Sequence, residues 1–445
     1  MDANAVSAPD ARGLGWLAII RLGLVQASIG AIVMLATSLL NRVMVVEYAL
    51  AAAIPAGLVA WHYAVQLARP LWGHGSDRGR RRTPWIVGGM AVLAGGALLA
   101  VRATIMIPET PVLGGTLAVL AFTMIGAGVG AAGTSMLALL ASGVAPTRRA
   151  AAAAVTWTMM IAGIVIAAGV AGALLDPFSE ARLASVANGV ALSAFAVACL
   201  AIWRLEPRAM ANFDTQDRGE APAFAEALRE IMRETAARRF TVLIFVSMLA
   251  YSMQDLILEP FAGLIFGMTP GQSTSLSGLQ HGGVLLGMIL AGVGGSAFAG
   301  RLPVDLRLWI VAGCAGSGLA LAGLAMAALD GPGWPLAANV FVLGFCNGVF
   351  AVSAIGAMMG LAGAGEKTRE GVRMGVWGAA QAIAFGLGGL GGALGVDVAR
   401  RVAGQDGAAF QLIFAIEACL FILAAALAVQ ATRKAPAHSG GVATA

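Results

Sequence analysis

Apolar positions along this chain form long unbroken runs, with polar positions gathered between them. Neither the 3.6-residue alternation of a surface helix nor the two-residue alternation of a half-buried strand dominates. Runs long enough to cross about 30 Å of hydrocarbon as helices fall near 16–40, 49–70, 84–104, 114–141, 151–174, 184–204, 239–260, 275–298, 309–329, 336–362, 375–398 and 408–431, which makes twelve spans. Small residues crowd several of them, as in AGVGAAGTS at 127–135 and GLGGLGGALG at 386–395. Such stretches let helix backbones approach closely in lipid.

The longest polar stretch separates the sixth span from the seventh. It predicts an N-terminal six-helix half over 1–205, a linker over 206–238, a C-terminal six-helix half over 239–432 and a disordered tail over 433–445. The linker begins EPRAMANFDTQDRGEAP, which reads as flexible. Further on, Phe224, Leu228, Ile231 and Met232 recur at helical spacing among charges, the pattern of an amphipathic helix lying at a membrane surface.

Composition agrees with the runs: 59% of residues are hydrophobic, 11% are charged and the mean hydropathy is +0.84. Soluble domains are roughly 45–50% apolar, so the chain is read as an all-α integral membrane protein. The first residues, MDANAVSAPDARG, lack the basic start and cleavage site of a signal peptide. Lys and Arg concentrate in alternate loops: Arg78, Arg80, Arg81 and Arg82, then Arg148 and Arg149, then Arg301 and Arg307, then Lys367, Arg369 and Arg373. By the positive-inside rule both termini face the cytoplasm. The net charge of +5 follows from this bias, and nucleic-acid binding is not expected. Four cysteines, Cys199, Cys314, Cys346 and Cys419, all lie inside spans and read as small buried hydrophobes.

Against so apolar a background, carboxylates at membrane depth need a reason, because each charge there costs about 2.5–3.5 kcal/mol or more. Asp255 and Glu259 sit one helical turn apart in YSMQDLILEP, and Glu417 lies deep in the last span, where it is a candidate proton site. Other polar residues at depth are Arg21, Gln26, His62, Gln66, Gln254, Gln280, His281, Asn347 and Gln381. Each also has a plain reading as an interhelical hydrogen bond or a snorkelling cation. His62 and His281 fall in the second and eighth spans, which are counterparts in the two halves. A neutral imidazole in an apolar setting can bond a ligand or coordinate the magnesium of a chlorin. Gly278, Gly282 and Gly283 leave room beside His281 for a flat ring.

Six spans, a linker and six more are how a major facilitator transporter is built. The loop GHGSDRGRRR at 73–82 resembles that superfamily's signature G-x-L-A-D-R-x-G-R-R, at the place where the superfamily has it. One departure is that Arg80 stands where the second glycine is usual, with Gly79 before it. The resemblance implies a cytoplasmic latch of Gly73, Asp77, Arg78, Arg81 and Arg82 against the start of span eleven near Arg373. It also implies that spans one and seven meet across a central cavity. Arg42, in NRVMVVE at 41–47, then becomes a partner for Asp255 or Glu259, and Arg42, Glu47, Asp255 and Glu259 form an expected outer gate.

Beyond the superfamily, the whole chain resembles the PucC family of photosynthetic bacteria. The runs that carry the likeness are RLGLVQASIGA (21–31), NRVMVVE (41–47), HYAVQ (62–66), GHGSDRGRRRTPW (73–85), MQDLILEP (253–260), SGLQHGGVLLGM (277–288), FCNGVFAVS (345–353) and REGVRMGVWGAAQAIAFG (369–386). The chain is most similar to the branch associated with bacteriochlorophyll biosynthesis. The resemblance implies a carrier or assembly factor in the bacterial inner or intracytoplasmic membrane. Its cargo would be bacteriochlorophyll or a precursor, and its partners light-harvesting or reaction-centre polypeptides or a bacteriochlorophyll synthase. No cofactor is required, although bound bacteriochlorophyll is expected as a ligand, with His62, His281, Gln280, Gln381 and Asn347 as candidate contacts.

Two other functional classes compete. A proton-coupled exporter of a small solute would use Asp255, Glu259 and Glu417 as proton carriers, but the spans supply no cation cluster for an anionic cargo. A pigment prenyl transferase would need clustered aspartates to hold magnesium diphosphate. Only Asp214 and Asp217, in the linker, approach that spacing, so direct catalysis is not expected.

Overall fold

The computed structural model describes residues 14–69, 72, 76, 81–144, 149–206, 229, 233, 235–297, 306–363 and 370–431. The helix expected around 224–232 lies outside them apart from Arg229. So do Gly73, Asp77, Arg78 and the tail after residue 431, and the side chain of Arg373 is likewise not described.

Among the described residues the long elements are helices: α1 Trp16–Glu47, α2 Ala53–Gln66, α3 Thr83–Met106, α4 Pro111–Gly143, α5 Arg149–Leu175, α6 Glu180–Ile202, α7 Thr235–Phe266, α8 Pro270–Ala297, α9 Leu306–Asp330, α10 Leu336–Gly363, α11 Glu370–Ala403 and α12 Asp406–Ala431. All except α2 are long and apolar enough to cross a membrane. Their ends follow local chemistry. Proline sits in the first turn of α3 and α4, where its missing N–H costs nothing. Ser179 caps α6 by accepting from the Arg182 amide at 3.2 Å. Gly267, Gly331 and Gly404 follow α7, α9 and α11 with φ of 66–67°, a left-handed stop that glycine adopts without strain.

Packing repeats. In the first six helices α1 lies on α5 and α6, α2 on α4, and α3 on α4 and α6. In the last six α7 lies on α11 and α12, α8 on α10, and α9 on α10 and α12. The halves meet chiefly through α5 with α8 and α2 with α11, which are counterparts exchanged by the repeat. This is the major facilitator arrangement of two six-helix halves. Large apolar side chains such as Val112, Leu200 and Leu319 remain exposed around the bundle, as lipid contact requires.

Glycines set the tightest seam. A Cβ on Gly344 of α10 would stand 2.0 Å from the Gln280 carbonyl of α8, and one on Gly348 2.1 Å from the Val284 carbonyl. From the other side, Gly283 and Gly287 of α8 would meet the carbonyls of Phe341 and Phe345 at 2.4 and 2.1 Å. Of the cysteines, Cys314 is buried, Cys199 and Cys346 are partly so, and Cys419 is exposed. Cys419 thus corrects the expectation of burial, because its side of α12 faces outward.

Candidate functional site

α1 departs from α-helical winding twice, with π-turns at Leu35–Leu39 and Val43–Glu47. Residues five apart lie about 140° apart around an α-helix, but a π-turn brings them to one side. Arg42, only 1% exposed, therefore reaches Glu47 of its own helix, Nη1 donating to Oε1 at 2.5 Å. Its Nε donates to Ser273 Oγ at 3.1 Å and its Nη2 to the Met268 carbonyl at 2.7 Å. The ion pair expected between Arg42 and Asp255 or Glu259 is thus corrected. The guanidinium binds its own acid, Glu47, and grips the α7–α8 corner through neutral oxygens. Winding, which runs of apolar residues do not disclose, made the difference.

Glu259 remains nearby. It is buried and within electrostatic reach of Arg42. Thr274 Oγ1 donates to its Oε2 at 3.4 Å, and the hydroxyls of Ser38 and Ser277 face it. One turn along, Asp255 stands in electrostatic reach of Tyr63 on α2, Tyr251 on α7 and Glu417 on α12. Glu417 is fully buried and neither carboxylate oxygen has a hydrogen-bond partner; Gln254, also fully buried, is in the same condition. The ring of Phe385 on α11 lies 5.8 Å from that of Tyr63 and 5.7 Å from that of Tyr251. Aromatic rings from α2, α7 and α11 thus meet beside the half-buried Asp255, where the two halves face one another. Gln381 lies on α11 one turn before Phe385 and is half-buried.

The two histidines differ in a way their sequence neighbours do not reveal. His62 is buried with both ring nitrogens engaged, Nδ1 with the Val59 carbonyl at 3.0 Å and Nε2 with Gln66 Nε2 at 2.8 Å. Arg69 in turn donates to Gln66 Oε1. His62 is therefore a satisfied structural residue, which corrects its candidacy as a magnesium ligand. His281 gives its Nδ1–H to the Ser277 carbonyl at 2.9 Å, which directs the lone pair to Nε2. A backbone carbonyl behind a metal-binding imidazole is the usual way its tautomer is fixed. Beside it, a Cβ on Gly282 would meet nothing within 4 Å.

Other candidates fall elsewhere. Asn347 accepts from Ser317 Oγ at 2.7 Å in the α9–α10 contact, so it ties helices instead of facing a ligand. Gln280 is buried where α8 meets α10. Arg81 is exposed; Arg82 is buried and donates to the Ala138 carbonyl at 2.5 Å. Arg21 donates to the Ala201 carbonyl at 2.8 Å and to that of Trp203, binding the end of α6.

Several working residues lie outside the expected set. Glu206 accepts from the backbone amides of Arg82 and Thr83 and from Thr83 Oγ1 at 2.8–3.0 Å, an acid held at the N-terminus of α3. Asn41 donates to the Leu256 carbonyl at 2.7 Å. That carbonyl is the one Pro260, four residues on and lacking an N–H, leaves without a helical donor. At the corner beyond α1, Tyr48 Oη donates to Glu180 Oε1 at 3.0 Å. Burial, then the nearby carboxylate, pushes the Tyr48 pKa up, which holds on the phenol the proton that Glu180 accepts. Asp397, an acid amid the GVDVAR run near the end of α11, is a residue of the same kind.

The fold and the aromatic, acid-lined seam define a multi-pass membrane protein of transporter architecture. The chain belongs to the PUCC protein family, which it matches over residues 39–435. It is 52% identical over 416 residues to the bacteriochlorophyll synthase 44.5 kDa chain of Rhodobacter capsulatus, covering 93% of this chain and 95% of that one. It is 31% identical over 422 residues to Protein PucC of Cereibacter sphaeroides, covering 91% and 90% of the two. Among solved structures, a bacterial homologue of the human lysosomal transporter Spinster, in an inward-facing and unoccupied conformation, superposes with a TM-score of 0.67 at 16% identity. That match covers 94% of this chain and 98% of the other, and the likeness is one of fold.

Proposed function

We propose that this chain is a membrane carrier or assembly factor that handles bacteriochlorophyll or a precursor and delivers it to light-harvesting or reaction-centre polypeptides. The observation that carries this reading is the full-length likeness to a relative named as a bacteriochlorophyll synthase chain, at 52% identity. A magnesium ligand that fits this reading is His281, whose Nδ1–H is fixed on the Ser277 carbonyl, so that Nε2 would be the atom to meet the central magnesium of the pigment. The Tyr63, Phe385 and Tyr251 rings suit a flat conjugated cargo. The membrane is the bacterial inner or intracytoplasmic one, with both termini in the cytoplasm.

The role is non-catalytic in this reading, because prenyl transfer onto the pigment would require acidic clusters to hold magnesium diphosphate. A non-catalytic partner subunit of a bacteriochlorophyll synthase is a second reading, favoured by the relative's name. A proton-coupled small-molecule exporter is a third, favoured by Asp255 and Glu417 standing together without a cation partner. The test is purification of the full chain in mild detergent with absorbance spectroscopy. Pigment co-purifying with the protein supports the first reading. A pigment-free preparation that instead drives proton-dependent uptake in vesicles overturns it in favour of the exporter, and capture of prenyl transferase activity only with a second polypeptide favours the partner subunit.

A further inference from the structure

One end of the bundle, opposite the side where α1 begins and α12 finishes, carries two contacts of the same design. Asp397, near the end of α11, accepts from the backbone amides of Ala52 and Ala53 at 3.1 and 2.8 Å, the first amides of α2. Asp176, just after α5, accepts from Thr269 Oγ1 at 2.7 Å and from the Gly271 amide at 3.3 Å, at the start of α8. Helices α5 and α11 are counterparts in the repeat, and so are α2 and α8. In each half, therefore, an aspartate at the end of the fifth helix caps the second helix of the other half. The orphan amides and the positive end of the helix dipole make that N-terminus a good anion partner.

The approach is close by construction. A Cβ on Gly271 would stand 2.6 Å from the Asp176 carboxyl carbon, and one on Gly172 of α5 2.2 Å from Ser275 Oγ of α8. Besides the two caps, the Arg42 bonds to Met268 and Ser273 and the Asn41 bond to Leu256 also join the halves. We propose that Asp176 and Asp397 are a symmetric pair of latches that hold the two halves shut at this end, and that both must release before the carrier opens there. Each half contributes one acid and receives one, so neither half can swing away while either cap persists. The inference stands whatever the cargo is.

The test places spin labels at Glu109→Cys and Pro332→Cys, exposed positions in the loops of opposite halves at this end. The background is the full chain with Cys199, Cys314, Cys346 and Cys419 replaced, and pulsed dipolar distances are read in nanodiscs. The unmodified acids should give one narrow short distance. Asp397→Ala or Asp176→Ala should raise the share of a longer distance about fivefold, the size of effect expected when a capping side chain is lost. The double variant should raise it further, and Asp→Asn, which keeps an acceptor but no charge, should fall between. A monodisperse double alanine variant with unchanged helix content and the original distance would overturn the latch. Should the alanine variants fail to fold, hydrogen exchange on the unmodified chain decides. Protection of the amides of Ala52, Ala53 and Gly271 comparable to helix interiors supports it, and exchange as fast as in the 108–110 loop overturns it.

Discussion

His62 and His281 look alike in the primary sequence, each an imidazole in an apolar span with a glutamine within one helical turn, Gln66 and Gln280. Their second nitrogens separate them: His62 spends both on Val59 and Gln66, while His281 spends one on Ser277. Pigment retention should therefore fall severalfold or more in His281→Ala and stay near the original level in His62→Ala, read as the pigment-to-protein absorbance ratio after purification. Asn41 offers a second test. Asn41→Leu strands the Leu256 carbonyl and should cost about 1–3 kcal/mol of stability, the penalty for an unsatisfied buried polar group. Pro260→Ala returns a helical donor to that carbonyl, so it should recover most of the loss in the Asn41→Leu background. Thermal unfolding in detergent across the double-mutant cycle measures the coupling.

Helices as units were largely legible. Twelve apolar runs map onto α1 to α12, with ends marked by Pro84, Pro111, Ser179 and the glycines after α7, α9 and α11. The winding of α1 was not, since hydropathy is indifferent to whether a turn closes on the fourth or fifth residue. Arg42 thereby changed partners from α7 to Glu47. The glycine seam between α8 and α10 belongs to the same level. Gly344→Val or Gly348→Val should separate the two helices, because added carbons would enter the space of the Gln280 or Val284 carbonyl. Overpacking of this kind costs about 1–3 kcal/mol or more, seen as a lower Tm. Gly282→Ala, with open space around it, should leave Tm unchanged.

Over the whole molecule, the proposal that both ends of the chain lie on the cytoplasmic side rests on twelve apolar runs and the distribution of arginines. Reporter domains fused before Trp16 and after Ala431 should both read out from the cytoplasm; opposite readings would require an odd number of crossings, and two external ones would invert the proposed orientation. The pairing of halves through α5 with α8 and α2 with α11 brings Tyr63, Tyr251, Phe385, Asp255 and Glu417 together from four helices. Only the acids among them had stood out, because a charge in an apolar run is conspicuous and an aromatic ring is not.

The sequence by itself determined a polytopic helical bundle, its division into two halves and its family, because solvation by lipid and recurrence of motifs are written in residue type and order. Which acid meets which amide was decided by tertiary structure. Asp176, Asp397 and Glu206 each act on a helix far away in the chain, and Asn41 serves a carbonyl more than two hundred positions along it. Contacts of that kind depend on how two halves are set against each other, a relation that no local pattern of apolar and polar residues contains.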